Sequence, residues 1–102
     1  MIITKKKENE NLVILLEGKL DTTTAAKLQN ELSTIYENES AKEVHLDCTK
    51  LSYVSSAGLR VLLIIEKLSK SKGTPFILKG VSVDIMEVFS MTGFDKMLTI
   101  RD

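Results

Sequence analysis

An α/β fold with a mixed β-sheet, built in the order β-β-α-β-α-β-α-β, is predicted for this chain by three observations. Apolar runs of strand length alternate with longer stretches of helical period, the helical stretches open on cap-forming side chains, and the first two strand runs lie close enough to form a hairpin. The 102 residues make one domain, 1–102, since no Pro/Gly/Ser-rich linker or internal repeat divides them. A chain of this size buries somewhat over ~60% of its unfolded surface on folding. Its 43% apolar residues provide the core.

Ile2 to Lys6 reads as a short edge strand, and the polar cluster Glu8 to Asn11 turns the chain into the apolar run Leu12 to Leu16, which Gly18 ends. Asp21 or one of the threonines after it then caps a helix. Ala25, Leu28, Leu32 and Ile35 recur at helical spacing up to Glu37-Asn38. Glu43 to Cys48 alternates polar and apolar, as a strand with one face packed and the other less covered does. After the loop Leu51 to Leu59, Ser55 or Ser56 caps a helix from Ala57 to about Lys72, which Gly73 stops and whose last turn is rich in lysine. Phe76 to Leu78 is a strand, Val83 to Met91 a helix stopped by Gly93, and Met97 to Ile100 a last strand. If the strands ending at Gly18 and Cys48 run parallel, the loops that leave them emerge at the same end of the sheet. Asp21 then neighbours Ser55-Ser56, at the carboxyl ends of strands where open α/β sheets carry their working loops.

Composition narrows the function. Fourteen basic residues balance fourteen acidic ones, which removes the electrostatic footprint of a general nucleic-acid or membrane-surface binder. Five aromatic residues and no Trp make a poor platform for stacking single-stranded bases. The longest apolar run, Val61 to Ile65, is far short of the ~18 residues a bilayer span needs. Lys5-Lys6-Lys7 leads into Glu8-Asn9-Glu10-Asn11 and not into a cleavage site, so a soluble, cytoplasmic protein is expected. One cysteine, Cys48, excludes an internal disulfide and suits a reducing compartment.

The loop Leu51-Ser52-Tyr53-Val54-Ser55-Ser56-Ala57-Gly58-Leu59 is the most distinctive stretch: two adjacent hydroxyls at a helix start, then small residues that let a partner's backbone approach. One serine caps the helix on ordinary preferences. The functional reading is a phosphorylation switch, because the positive end of a helix tolerates the roughly −1.5 to −2 charges of a phosphoserine. A serine nucleophile is disfavoured, since the first glycine of a G-x-S-x-G elbow is missing and the one histidine, His45, lies within a strand. No His/Cys cluster has metal-ligand spacing, and no glycine-rich phosphate loop can be drawn, so neither catalytic residues nor a cofactor are expected. Gly18 to Asp21 reads as a turn and a cap, and Lys67, Lys70 and Lys72 as a solvated helix end.

Leu51 to Leu59 followed by Val61-Leu62-Leu63 resembles the signature of STAS domains, in particular bacterial anti-sigma factor antagonists. Leu16 to Asp21 is similar to the family's Gly-Glu-Leu-Asp segment, and Val88 to Phe94 with Leu98 and Ile100 to its closing helix and strand. The resemblance covers essentially the whole chain. It implies a protein without catalysis of its own, which in its unphosphorylated form binds a GHKL-type serine kinase that doubles as an anti-sigma factor. The kinase phosphorylates the domain, and a metal-dependent serine phosphatase reverses the modification. Matched by position, the acceptor is Ser56, with Ser55 as the alternative hydroxyl. The docking surface takes in Asp21, Thr22, Ser55, Ser56, Ala57, Gly58 and Leu59. Two positions depart from the family pattern: Ser55 stands where an Asp commonly precedes the acceptor, and Lys19 where Glu is usual. A second role for this family is as a subunit supporting a membrane transport ATPase, without phosphorylation.

Overall fold

The computed structural model describes residues 1–101. Strands β1 (Ile2–Glu8) and β2 (Asn11–Leu20) form the hairpin, followed by α1 (Thr22–Asn38), β3 (Val44–Val54), α2 (Ser56–Lys72), β4 (Phe76–Lys79), α3 (Val83–Thr92), a 3-10 turn (Phe94–Lys96) and β5 (Ile100–Arg101). β1 pairs antiparallel with β2, and β2 to β5 are parallel in sequential order across a five-stranded sheet. The predicted order of elements therefore holds. Because every crossover steps in the same direction, and crossovers between parallel strands are right-handed, all three helices fall on one face of the sheet.

The register shows the stripe that face buries. Leu12, Val44 and Phe76 lie abreast, as do Ile14, Leu46, Leu78 and Ile100 one pleat further along. These residues form one cluster with Leu28, Leu32 and Ile35 of α1, Leu62 and Ile65 of α2, and Ile85 and Phe89 of α3. Burying a side chain of this kind contributes about 1.5–3 kcal/mol, so the helices hold to the sheet through their apolar stripes; no ion pair among the described residues involves α1, α2 or α3. The final strand is tied in by polar contacts as well: the Thr99 N–H donates to the buried Glu66 carboxylate (3.3 Å) and the Thr99 carbonyl accepts from Leu78 N–H (2.8 Å).

Three boundaries differ from the sequence reading. β2 does not stop at Gly18 but runs through it to Leu20, with register shifts at Leu15/Glu17 and Gly18/Lys19, and the glycine takes φ +108° there. β3 continues past Cys48 to Val54, so Leu51–Val54 is strand and not loop; Leu51 and Val54 are buried while Ser52 and Tyr53 face outward. The last strand is confined to Ile100–Arg101, because the 3-10 turn occupies Phe94–Lys96 and leaves Met97 outside any strand. The less covered face of β3 is also more buried than its alternation implies. His45 is 7% exposed there, with Nε2 2.7 Å from Glu43 Oε1, and Val13 and Ile77 on either side are buried too. That hydrogen bond, aided by the Arg101 charge, holds the Glu43 carboxyl below its usual range.

Candidate functional site

The carboxyl ends of β2 and β3 carry the starts of α1 and α2, and the chain joins these two corners directly. The Ser55 N–H donates to the Leu20 carbonyl (2.9 Å) and the Ser52 hydroxyl to the Gly18 carbonyl (3.1 Å). Gly58 makes the close approach possible. A Cβ at this position would lie 2.7 Å from Leu20 Cγ, 2.9 Å from the Leu20 carbonyl oxygen and 3.0 Å from Val54 Cγ2, so only a residue without one lets α2 press against the end of β2.

Asp21 caps α1. Its Oδ1 accepts from the backbone N–H groups of Thr23 (3.0 Å) and Thr24 (3.1 Å) and from the Thr23 hydroxyl (2.7 Å), while its own N–H donates to Thr24 Oγ1 (2.9 Å). This is a reciprocal capping box with threonine in the position glutamate often takes. The Thr23 hydroxyl, followed by the Thr24 N–H, draws the Asp21 carboxyl below its ordinary value, so it is ionised at neutral pH. Thr22 begins the helix and is exposed.

The two serines have different environments. Ser55 is the N-cap of α2: its Oγ accepts from the Gly58 N–H (3.2 Å), which satisfies one of the helix's orphan donors. Ser56 is the first helical residue. It is exposed, and its hydroxyl has no hydrogen-bond partner among the described residues.

Not every residue assigned to the docking surface lies on it. Gly58 is buried, and Leu59, at 7% exposure, belongs to the hydrophobic core; both hold α2 in place and neither offers a face to a partner. Ala57 is half-buried and packs against the core. The accessible surface is made by Thr22, Ser56 and the outer side of α2, with Tyr53 of β3 (49% exposed) opposite Lys19 in the sheet register. Sequence reasoning alone does not single out Arg60 or Tyr53. The signal for Arg60 is its spacing four residues after Ser56, and for Tyr53 a bulky aromatic at an outward position of β3.

His45 is nine residues from the end of β3, which at about 3.3 Å per residue puts it roughly 30 Å along the strand from the end that leads into the serines. It does not face them. Among the described residues, the chain therefore presents an exposed hydroxyl without a hydrogen-bond partner at the start of α2.

Comparison with known proteins places this geometry. The STAS domain family model matches residues 2–102. The chain belongs to the STAS family. It is 32% identical over 94 residues to BtrV of Bordetella bronchiseptica, covering 92% of this chain and 80% of that protein. To the anti-sigma-B factor antagonist of Listeria monocytogenes it is 26% identical over 98 residues, covering 96% and 85%. The fold is shared with the anti-sigma factor antagonist SpoIIAA. The unphosphorylated form of that protein superposes with TM-score 0.81 at 20% identity over 99% of this STAS chain and 89% of SpoIIAA. Its phosphorylated form, from Bacillus, superposes with TM-score 0.74 at the same identity, over 99% and 92%.

Proposed function

We propose that this STAS domain is a phosphorylation-switched anti-sigma factor antagonist whose acceptor is Ser56. The observation that carries the reading is the division of labour between adjacent hydroxyls: Ser55 is engaged as the helix cap, and Ser56 is exposed and unbonded beside the Asp21–Thr22 corner. That relatives of this chain carry the name anti-sigma factor antagonist, and that SpoIIAA exists in both phosphorylation states, supports it.

The unphosphorylated domain docks a GHKL-type serine kinase that acts as the anti-sigma factor, with Ser56 inside the contact. Phosphorylation adds about −1.5 to −2 charges at the positive end of α2, where the helix dipole tolerates them, so the fold stands. Beneath a docked protein the same dianion loses its hydration. The effective penalty for burying an ion is several kcal/mol, which a pairing partner repays only in part unless the geometry is excellent. Each ~1.4 kcal/mol is tenfold in affinity, so the partner leaves. A metal-dependent serine phosphatase restores the binding form.

Phosphopeptide mapping together with pull-downs of the kinase tests this. Ser56→Ala retains the kinase, Ser56→Asp releases it, and Ser55→Ala is still phosphorylated. Phosphate found on Ser55 alone moves the acceptor. Equal retention by Ser56→Ala and Ser56→Asp, or co-purification with a transport ATPase in place of a kinase, overturns the proposal.

A further inference from the structure

On the outer side of α2, Arg60 stands one turn after Ser56 and is exposed. Residues four apart are neighbours on a helix surface, with Cβ atoms roughly 5–6 Å apart. A helical side chain leans back toward the N-terminus of its helix, which carries the Arg60 guanidinium over the turn that holds Ser56. Arg60 makes no ion pair among the described residues. None of its helical neighbours can provide one, since Ser56, Ala57, Leu63 and Ile64 carry no carboxylate. Asp21, the acid of the neighbouring corner, has its Oδ1 engaged by the cap of α1 and likewise makes no ion pair.

We infer that Arg60 is the intramolecular counter-charge for a phosphate on Ser56, an inference that deepens the proposed function and rests on Ser56 being the modified hydroxyl. An anion four residues N-terminal to a cation is the favourable order on a helix. The planar guanidinium fork matches two phosphate oxygens at once. Two consequences follow for docking. Before modification Arg60 and the exposed Lys19 outnumber the ionised Asp21 at this end of the sheet, which suits a partner surface that bears carboxylates. Phosphorylation then does more than add negative charge, because it also turns Arg60 away from the partner and onto the phosphate.

The test is a phosphorus NMR titration of the full chain carrying phosphoserine installed at position 56 during translation. The second ionisation of a free phosphoserine lies near pH ~6. In the wild-type background it falls below that, and Arg60→Gln raises it by roughly 0.3–0.7 pH units at low salt, the shift that an exposed charge-assisted pair corresponds to. Arg60→Lys, which keeps a point charge but loses the fork, lies between the two. Lys67→Gln, roughly 16 Å from Ser56 along the helix axis, leaves the titration unchanged. Overlap of wild type and Arg60→Gln within about 0.1 unit overturns the pairing, as does an equal shift from Lys67→Gln. Since the phosphoserine is incorporated during translation, this result is independent of any kinase. Phosphopeptides from cells that show no phosphate on Ser56 would overturn the functional reading and leave the pairing itself standing.

Discussion

Replacing Gly58 with alanine tests whether the two corners of the site are truly pressed together. The added methyl meets Leu20 Cγ at 2.7 Å and the Leu20 carbonyl oxygen at 2.9 Å, with Val54 Cγ2 at 3.0 Å. Leu20 is fully buried, and its carbonyl already accepts the Ser55 N–H, so neither side chain nor backbone can step aside freely. Overpacking of this kind costs about 1–3 kcal/mol. Alanine's better helix propensity returns up to about 1 kcal/mol of that. The expected net is a loss of about 1–2 kcal/mol, which for a domain of this size lowers Tm by roughly 4–8 °C per kcal/mol. Urea unfolding followed by circular dichroism reads it as an earlier midpoint at unchanged slope. A Gly58→Ala chain that unfolds at the same or a higher urea concentration would show that propensity dominates and that α2 does not bear on the end of β2.

The remaining predictions concern the caps and the buried thiol. Ser55→Ala removes the α2 cap and destabilises by about 1 kcal/mol, whereas Ser56→Ala leaves the urea midpoint within a few tenths; equal losses from both would contradict the assignment of the cap. The Asp21 carboxyl is depressed in the folded state, so the stability it contributes is present above its unfolded pKa and is lost as pH falls through the lower folded value. Asp21→Asn keeps a capping oxygen without the charge. Its midpoint should lie below that of wild type at pH ~6 and converge with it below pH ~4, and parallel pH profiles would refute the coupling. Burial pushes the Cys48 thiol up to about 12, so a disulfide reagent at neutral pH should label it only at the rate of global unfolding; prompt labelling of the native chain would contradict its place in the core.

The order of elements was legible because each helix carries both a period and a cap. Asp21 with Thr24 and Ser55 with Gly58 make the predicted N-terminal bonds, and the third helix, expected from its period and its Gly93 stop, has Ser82 with Ile85 as its cap. Sequence was least informative where backbone geometry overrides local polarity. Ser52 and Tyr53 look like loop residues, yet the pairing of Leu51 with Gly18 and of Tyr53 with Lys19 keeps them extended, and the positive φ of Gly18 passes β2 through a register shift that looks like an ending. His45 was harder still: alternation marks its face as open, and burial beside Val13 and Ile77, with Glu43 as partner, emerges only when three strands lie abreast. Within the candidate site, the adjacency of the two corners was legible, but only the folded chain separates the engaged hydroxyl of Ser55 from the free one of Ser56. It also moves Gly58 and Leu59 from the surface to its supports.

One titration bears most directly on the whole account: calorimetric binding of the serine kinase retained by Ser56→Ala to chains with and without phosphoserine at position 56, each first shown folded by its amide NMR spectrum. The account predicts that the phosphate lowers affinity at least about a hundredfold, roughly 2.7 kcal/mol, while amide shifts stay confined to the starts of α1 and α2. Equal affinity of the two chains, or a spectrum showing that the phosphate unfolds the domain, would contradict it.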